Sequence, residues 1–129
     1  MNAGSHRILV LDDDPSLLRA IRLTLVLEGF EVETAVDGVL GLELVANNGF
    51  SLVVLDLQMP RMNGRTFFKE LRSLGYAMPV LILSAFGADV AREELGAEGA
   101  IVKPFDPEDL VAAIRRLIVE ASATGAISS

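Results

Sequence analysis

The sequence predicts an α/β domain, one parallel sheet of five strands with helices on both faces. Two observations carry that expectation. Five short segments rich in Val, Ile and Leu alternate with five segments of helical periodicity along the 129 residues, and such alternation builds parallel sheets through crossover helices. The first, third and fourth short segments are also nearly continuous apolar runs, as strands covered on both faces must be.

"RILVL" (Arg7 to Leu11) forms the first strand. Leu18, Ile21 and Leu25 follow at helical spacings of three and four, and Gly29 stops that helix. "EVETA" (Glu31 to Ala35) alternates, which suits an edge strand. Gly41, Leu44 and Val45 share a face of the second helix. "SLVVLD" (Ser51 to Asp56) is the third strand, and the next helix places Phe67, Leu71 and Leu74 on one side. "PVLILS" (Pro79 to Ser84) is the fourth strand. "GADVAREELGAEG" holds few large apolar residues between Gly87 and Gly96, so its helix is expected to be short. "GAIVK" (Gly99 to Lys103) is the fifth strand. Leu110, Ile114, Leu117 and Ile118 stripe the last helix, which opens with "DPED": Asp106 as cap, Pro107 in the first turn, acids facing the helix dipole. The small, polar "EASATGAISS" (120–129) reads as a linker or tail. The expected organisation is an N-terminal extension (1–6), one domain (7–119) and that tail, with no internal repeat.

Composition narrows the chemistry. The absence of cysteine excludes disulfides and thiolate sites, and a single histidine, His6, argues against a histidine-rich metal site or a Ser-His-Asp triad. A formal net charge of −7 disfavours direct binding to nucleic acid or anionic lipid and is compatible with a cation. No apolar run approaches the about 20 residues that cross a bilayer, and "MNAGSHR" lacks a signal-peptide layout. A cytoplasmic domain is expected.

In open parallel sheets, sites form beyond the carboxyl ends of the strands. The first strand ends in Asp12, Asp13 and Asp14, the third in Asp56, the fourth in Ser84 and the fifth in Lys103. Clustered carboxylates suit Mg²⁺, which takes six oxygens at about 2.1 Å. An aspartate can act as the nucleophile toward phosphorus when a cation screens an anionic donor. A hydroxyl and an ammonium opposite the metal could hold the other phosphoryl oxygens. Taken singly, each residue has an ordinary explanation. Asp14, before Pro15 and a helix, is a natural N-cap; Asp12 and Asp13 could be surface acids; Lys103 could be a solvated loop lysine. Four strand ends carrying complementary groups argue otherwise.

With "ILVLDDDP", "VVLDLQMPRMNG", "PVLILSA" and "GAIVKPFDPEDL" in place, the chain resembles the receiver domain of two-component response regulators from about Arg7 to Ile118. The resemblance implies a flavodoxin-like (βα)5 fold with strand order 2-1-3-4-5. It implies that Asp56 accepts a phosphoryl group from a sensor histidine kinase or histidine phosphotransfer protein, with Mg²⁺ as cofactor. Asp13 would bind the metal directly and Asp12 directly or through water, completed by Asp56 and the Gln58 carbonyl. Ser84 and the Ala85 N–H would donate to the phosphoryl group, and Lys103 would pair with it across a Lys103–Pro104 peptide that is often cis. Such a domain is a switch, not an enzyme in the ordinary sense. Its output would pass to a fused or separate effector domain or through a phosphorylation-dependent dimer.

Two features depart from the family pattern. Many receivers carry a switching aromatic three positions before the lysine, where this chain has Ala100; Phe86 is a candidate replacement. The stretch from Ser84 to Lys103 is about one helical turn shorter than usual, which alters the surface that commonly dimerises. Other readings have less support. An aspartyl hydrolase would want a general acid where Gln58 stands, a flavin site would not put three acids after the first strand, and a non-phosphorylated scaffold would not need the intact acid cluster, Ser84 and Lys103.

Overall fold

The computed structural model describes residues 6–59 and 61–124. The chain alternates β1 (Arg7–Leu11), α1 (Pro15–Leu27), β2 (Glu31–Ala35), α2 (Gly38–Asn47), β3 (Leu52–Asp56), α3 (Gly64–Ser73), β4 (Val80–Ser84), α4 (Ala88–Leu95), β5 (Gly99–Val102) and α5 (Pro107–Thr124). The strands form one parallel sheet in the order β2-β1-β3-β4-β5, the expected flavodoxin-like topology.

Strand side chains alternate between two cores. Ile8, Val10, Leu52, Val54, Leu81 and Leu83 face α1 and α5. Leu9, Leu11, Val53, Leu55, Val80 and Ile82 face the α2–α4 side. Because β1, β3 and β4 are covered on both faces, their sequences are continuous apolar runs. The edge strand β2 leaves Glu31 exposed while burying Val32.

The helix stripes of α1 and α5 are buried as expected, and Gly29 follows α1 with φ 97°. α4 is indeed short, enclosed by Gly87 and Gly96 at φ 64° and 77°. Leu74 is a correction: it is the C-cap of α3 and 60% exposed, the inner face of α3 being completed by Phe68. Its apolarity matched the period, but the helix ends one residue earlier. Leu44 is half-buried, beside the buried Gly41 and Val45. Ser51, Pro79 and Lys103 flank their strands. Asp106 engages the start of α5 through its carbonyl, which accepts from the Asp109 and Leu110 N–H groups.

The stretch from Glu120, read as tail, continues α5 through Thr124, and Ala121 is buried. Alanine propagates a helix without needing a large side chain to announce it. Residues 125–129 of that tail, and 1–5 of the N-terminal extension, lie outside the described residues. His6 is placed: its Nδ1 is 3.0 Å from Ser51 Oγ, and its carbonyl accepts from the Glu31 N–H. Among the described residues, no helix is long and apolar enough to cross a membrane.

Candidate functional site

The carboxyl ends of β1, β3 and β4 and the segment after β5 converge on one hollow of ≈ 230 Å³. It is lined by Asp13, Asp56, Gln58, Ser84, Ala85, Phe86 and Lys103. Asp12 lies beneath it, fully buried. Parallel strands all point their ends the same way, so residues separated by up to 91 positions meet.

The three acids after β1 part company. The Asp14 carboxylate accepts from the Ser16 and Leu17 N–H groups and caps α1. Asp12 turns inward, where Oδ1 accepts from the Asp14 N–H at 3.0 Å and Oδ2 accepts from Lys103 Nζ at 2.8 Å. Asp13 is exposed at the rim. Carboxylate oxygens of Asp12, Asp13 and Asp56 lie within 4.8 Å of one another.

Asp56 is 5% exposed, with Oδ1 3.4 Å from Lys103 Nζ. Burial, then the neighbouring Asp12 charge, pushes its carboxyl above the ordinary range; Lys103 and the Gln58 backbone oppose this without cancelling it. Burial would by itself depress Lys103. The hydrogen bond and charge of Asp12, with the charge of Asp56, overcome that and hold the ammonium above its usual value. Three carboxylates thus face one ammonium. A donor set of carboxylate oxygens, without nitrogen or sulfur, fits a hard divalent cation.

Ser84 Oγ donates to the Phe86 carbonyl at 2.7 Å and accepts from the Phe86 N–H at 3.3 Å. Ala85 is exposed beside it, and the Lys103 N–H donates to the Ser84 carbonyl at 3.0 Å. The Lys103–Pro104 peptide is cis. Gly64 allows α3 to start against the site: an added Cβ there would lie 2.5 Å from the Asp56 carbonyl oxygen and 2.6 Å from Leu57 Cα.

All the residues singled out in the sequence are therefore at or beside one hollow, apart from Asp14, which caps a helix as expected. A pairing outside the hollow was not foreseen. Asp37, 1% exposed, caps α2 and pairs with Arg61, which follows β3. The cap is legible in "DGVLG"; its partner, 24 residues away, is not.

The comparisons with known proteins agree with this geometry. The family model described as response regulator receiver domain matches residues 8–115. Response regulator MprA of Mycobacterium sp. (strain KMS) is 43% identical over 115 residues, covering 87% of this chain and 50% of that protein. The transcriptional regulatory protein CpxR homolog of Haemophilus influenzae is 39% identical over 115 residues, with the same coverage of each. The chain thus spans about half the length of the curated relatives it matches. Among solved structures, the chemotaxis protein CheY4 of Vibrio cholerae aligns with a TM-score of 0.81 at 32% identity, over 87% of this chain and 98% of that one. A CheY-like receiver domain protein from Methanospirillum hungatei aligns with a TM-score of 0.86 at 30% identity, over 92% and 98%. The chain belongs to the response regulator receiver domain family of two-component systems.

Proposed function

We propose that this domain is a phosphorylation switch in which Asp56 accepts a phosphoryl group from a phosphohistidine of a sensor histidine kinase or phosphotransfer protein. An Asp56 carboxylate oxygen attacks phosphorus, an O–P bond forms, and the N–P bond to the imidazole breaks. The observation that supports this most is the make-up of the hollow. There the Asp56 carboxylate meets two further carboxylates, Asp12 and Asp13, and a hydroxyl and an ammonium, Ser84 and Lys103, the ammonium bridging Asp12 and Asp56.

The carboxylates of Asp12, Asp13 and Asp56, with the Gln58 carbonyl, would hold Mg²⁺. The cation's contribution there is to screen charge between the acids and the incoming phosphoryl group. Lys103 already spans Asp12 and Asp56 and would pair with the phosphoryl oxygens. Ser84 has its proton committed to the Phe86 carbonyl. Donating instead to a phosphoryl oxygen breaks that bond and releases the segment after β4. A local charge event thereby becomes a change of loop conformation. Phe86, half of that hydrogen-bonded exchange, is the aromatic that would move in place of the missing one at Ala100.

In a longer protein such as the relatives, the altered surface would act on an effector domain or favour a dimer. The domain itself is a signalling module, with slow self-phosphorylation and self-dephosphorylation at most.

The test is labelling by acetyl phosphate with Mg²⁺, followed by intact mass. One phosphoryl group per chain is expected, lost in Asp56→Asn and in Asp13→Asn but retained in Asp14→Ser. Labelling that persists in Asp56→Asn overturns the assignment, and dependence on Asp14 rather than Asp13 overturns the division of the three acids.

A further inference from the structure

The buried carboxylate of Asp37 takes no part in the phosphoryl chemistry, yet both its oxygens are engaged. Oδ1 accepts from the Leu40 N–H at 2.9 Å and caps α2. Oδ2 accepts from the Arg61 guanidinium in an ion pair. Arg61 stands three residues after Gln58 and holds φ at 65°, a left-handed conformation that a residue with a Cβ adopts only when its surroundings over-determine it. Its side chain is 69% exposed, but its head meets the buried Asp37 carboxylate, for which no other cationic partner stands among the described residues. Next to it Met62 closes over Gly38, where an added Cβ would lie 2.9 Å from Met62 Cγ and Sδ.

One ionic and one apolar contact thus fasten the outer end of the β3–α3 segment to the start of α2. At the inner end the Gly64 N–H donates to the Leu57 carbonyl at 3.0 Å. Gln58 lies between the two fastenings, directly beside the acid cluster.

We infer that Arg61 is a positioning residue, whose ion pair with Asp37 sets the path of the chain after β3 and so the direction in which Gln58 presents its backbone to the cation site. This rests on the reading of the Gln58 carbonyl as a metal ligand. Groups that orient ligands typically change metal affinity by 10–100-fold when lost; since Arg61 acts through the backbone, a smaller loss of about three- to tenfold is expected.

The test is Mg²⁺ binding by titration calorimetry, with thermal unfolding as a check on folding. Arg61→Gly removes the ion pair while tolerating the left-handed backbone, so the variant should fold and bind Mg²⁺ about three- to tenfold more weakly. Asp37→Asn keeps the cap oxygen but removes the charge, and should weaken binding by a similar factor. The double variant should fall no further than either one. Parent-like Mg²⁺ affinity in folded Arg61→Gly, or losses that add in the double variant, overturns the inference. Parent protein that binds no Mg²⁺, or binds it equally well as Asp13→Asn, overturns the underlying metal site instead.

Discussion

After β3 the chain is tied to its surroundings. Arg61 pairs with Asp37, Met62 covers Gly38, the Asn63 side chain caps α3 through the Thr66 N–H, and Gly64 sits against the Asp56 carbonyl. After β4 it is tied chiefly to itself. Ser84 and Phe86 exchange two hydrogen bonds, the Phe86 ring is 86% exposed, and Gly87 opens α4 in a left-handed conformation without a side-chain cap. α4 then packs through the buried Ala88 and Ala91, and the exposed Arg65–Glu94 pair linking it to α3 adds little. Both segments border Asp56, so under the proposed phosphorylation the arriving charge would meet one wall that holds and another that yields. A switch needs both: a fixed frame for the ligands, and an element of low local stability to respond.

The strongest way to break this contrast is to make the same substitution in each segment. Gly64→Ala drives a Cβ into backbone atoms at 2.5 and 2.6 Å, which no side-chain rotation relieves. Destabilisation of about 3 kcal/mol, at the upper end for overpacking, is expected by urea unfolding. Gly87→Ala meets no atom within 4 Å and incurs only the strain of φ 64°, so about 1 kcal/mol is expected. Equal losses at the two sites would show that the β4–α4 segment is as tightly constrained as the other.

Asp56 offers a second test, of intermediate size. Its raised pKa means that the folded state binds a proton more readily than the unfolded one. Stability from this group is therefore greatest at low pH and is lost as pH rises from the ordinary 3.8 through the raised value. Asp56→Asn escapes that loss. With divalent cations chelated at pH 7, its Tm should exceed the parent's. The gap should close as pH falls toward the ordinary carboxylate value, and Mg²⁺ should narrow it at neutral pH by stabilising the parent. A parent more stable than Asp56→Asn in chelator would mean that Lys103 fully compensates the cluster.

These contrasts also mark what the sequence makes legible. The strand ends Asp12, Asp13, Asp56, Ser84 and Lys103 can be read because a parallel sheet forces its carboxyl ends together, so position along each strand predicts proximity. Asp14 is separable from its neighbours because capping is local, set by Pro15 and the helix after it. Leu74 misleads because a helical stripe does not reveal where the helix ends, and residues 120–124 mislead because small residues extend a helix without an apolar signature. The Asp37–Arg61 pair stays hidden for a different reason. It joins two loops rather than two strand ends, and its geometry depends on a left-handed arginine that no local pattern announces.

Phe86→Ala is expected to have the smallest effect on stability. The ring is almost wholly exposed, and the Ser84–Phe86 bonds use only the backbone of residue 86. A change within about 0.5 kcal/mol should follow in thermal unfolding, as for ordinary surface substitutions. The informative readout is the backbone amide of residue 86, followed by NMR as beryllofluoride with Mg²⁺ is added. In the parent, capture of the Ser84 hydroxyl by the phosphoryl mimic should break its bond to the Phe86 carbonyl and, as Oγ turns toward the mimic, weaken the bond it accepts from that amide and shift the amide resonance strongly. In Phe86→Ala the same shift should occur, because the switch bond is made by the backbone, while any accompanying change at Val90 and Val102, exposed apolar residues on α4 and β5, should be diminished if the ring carries the movement outward. An unshifted residue 86 amide in the parent would mean that the segment after β4 does not yield, and the contrast between the two walls of the site would fail at its most direct point.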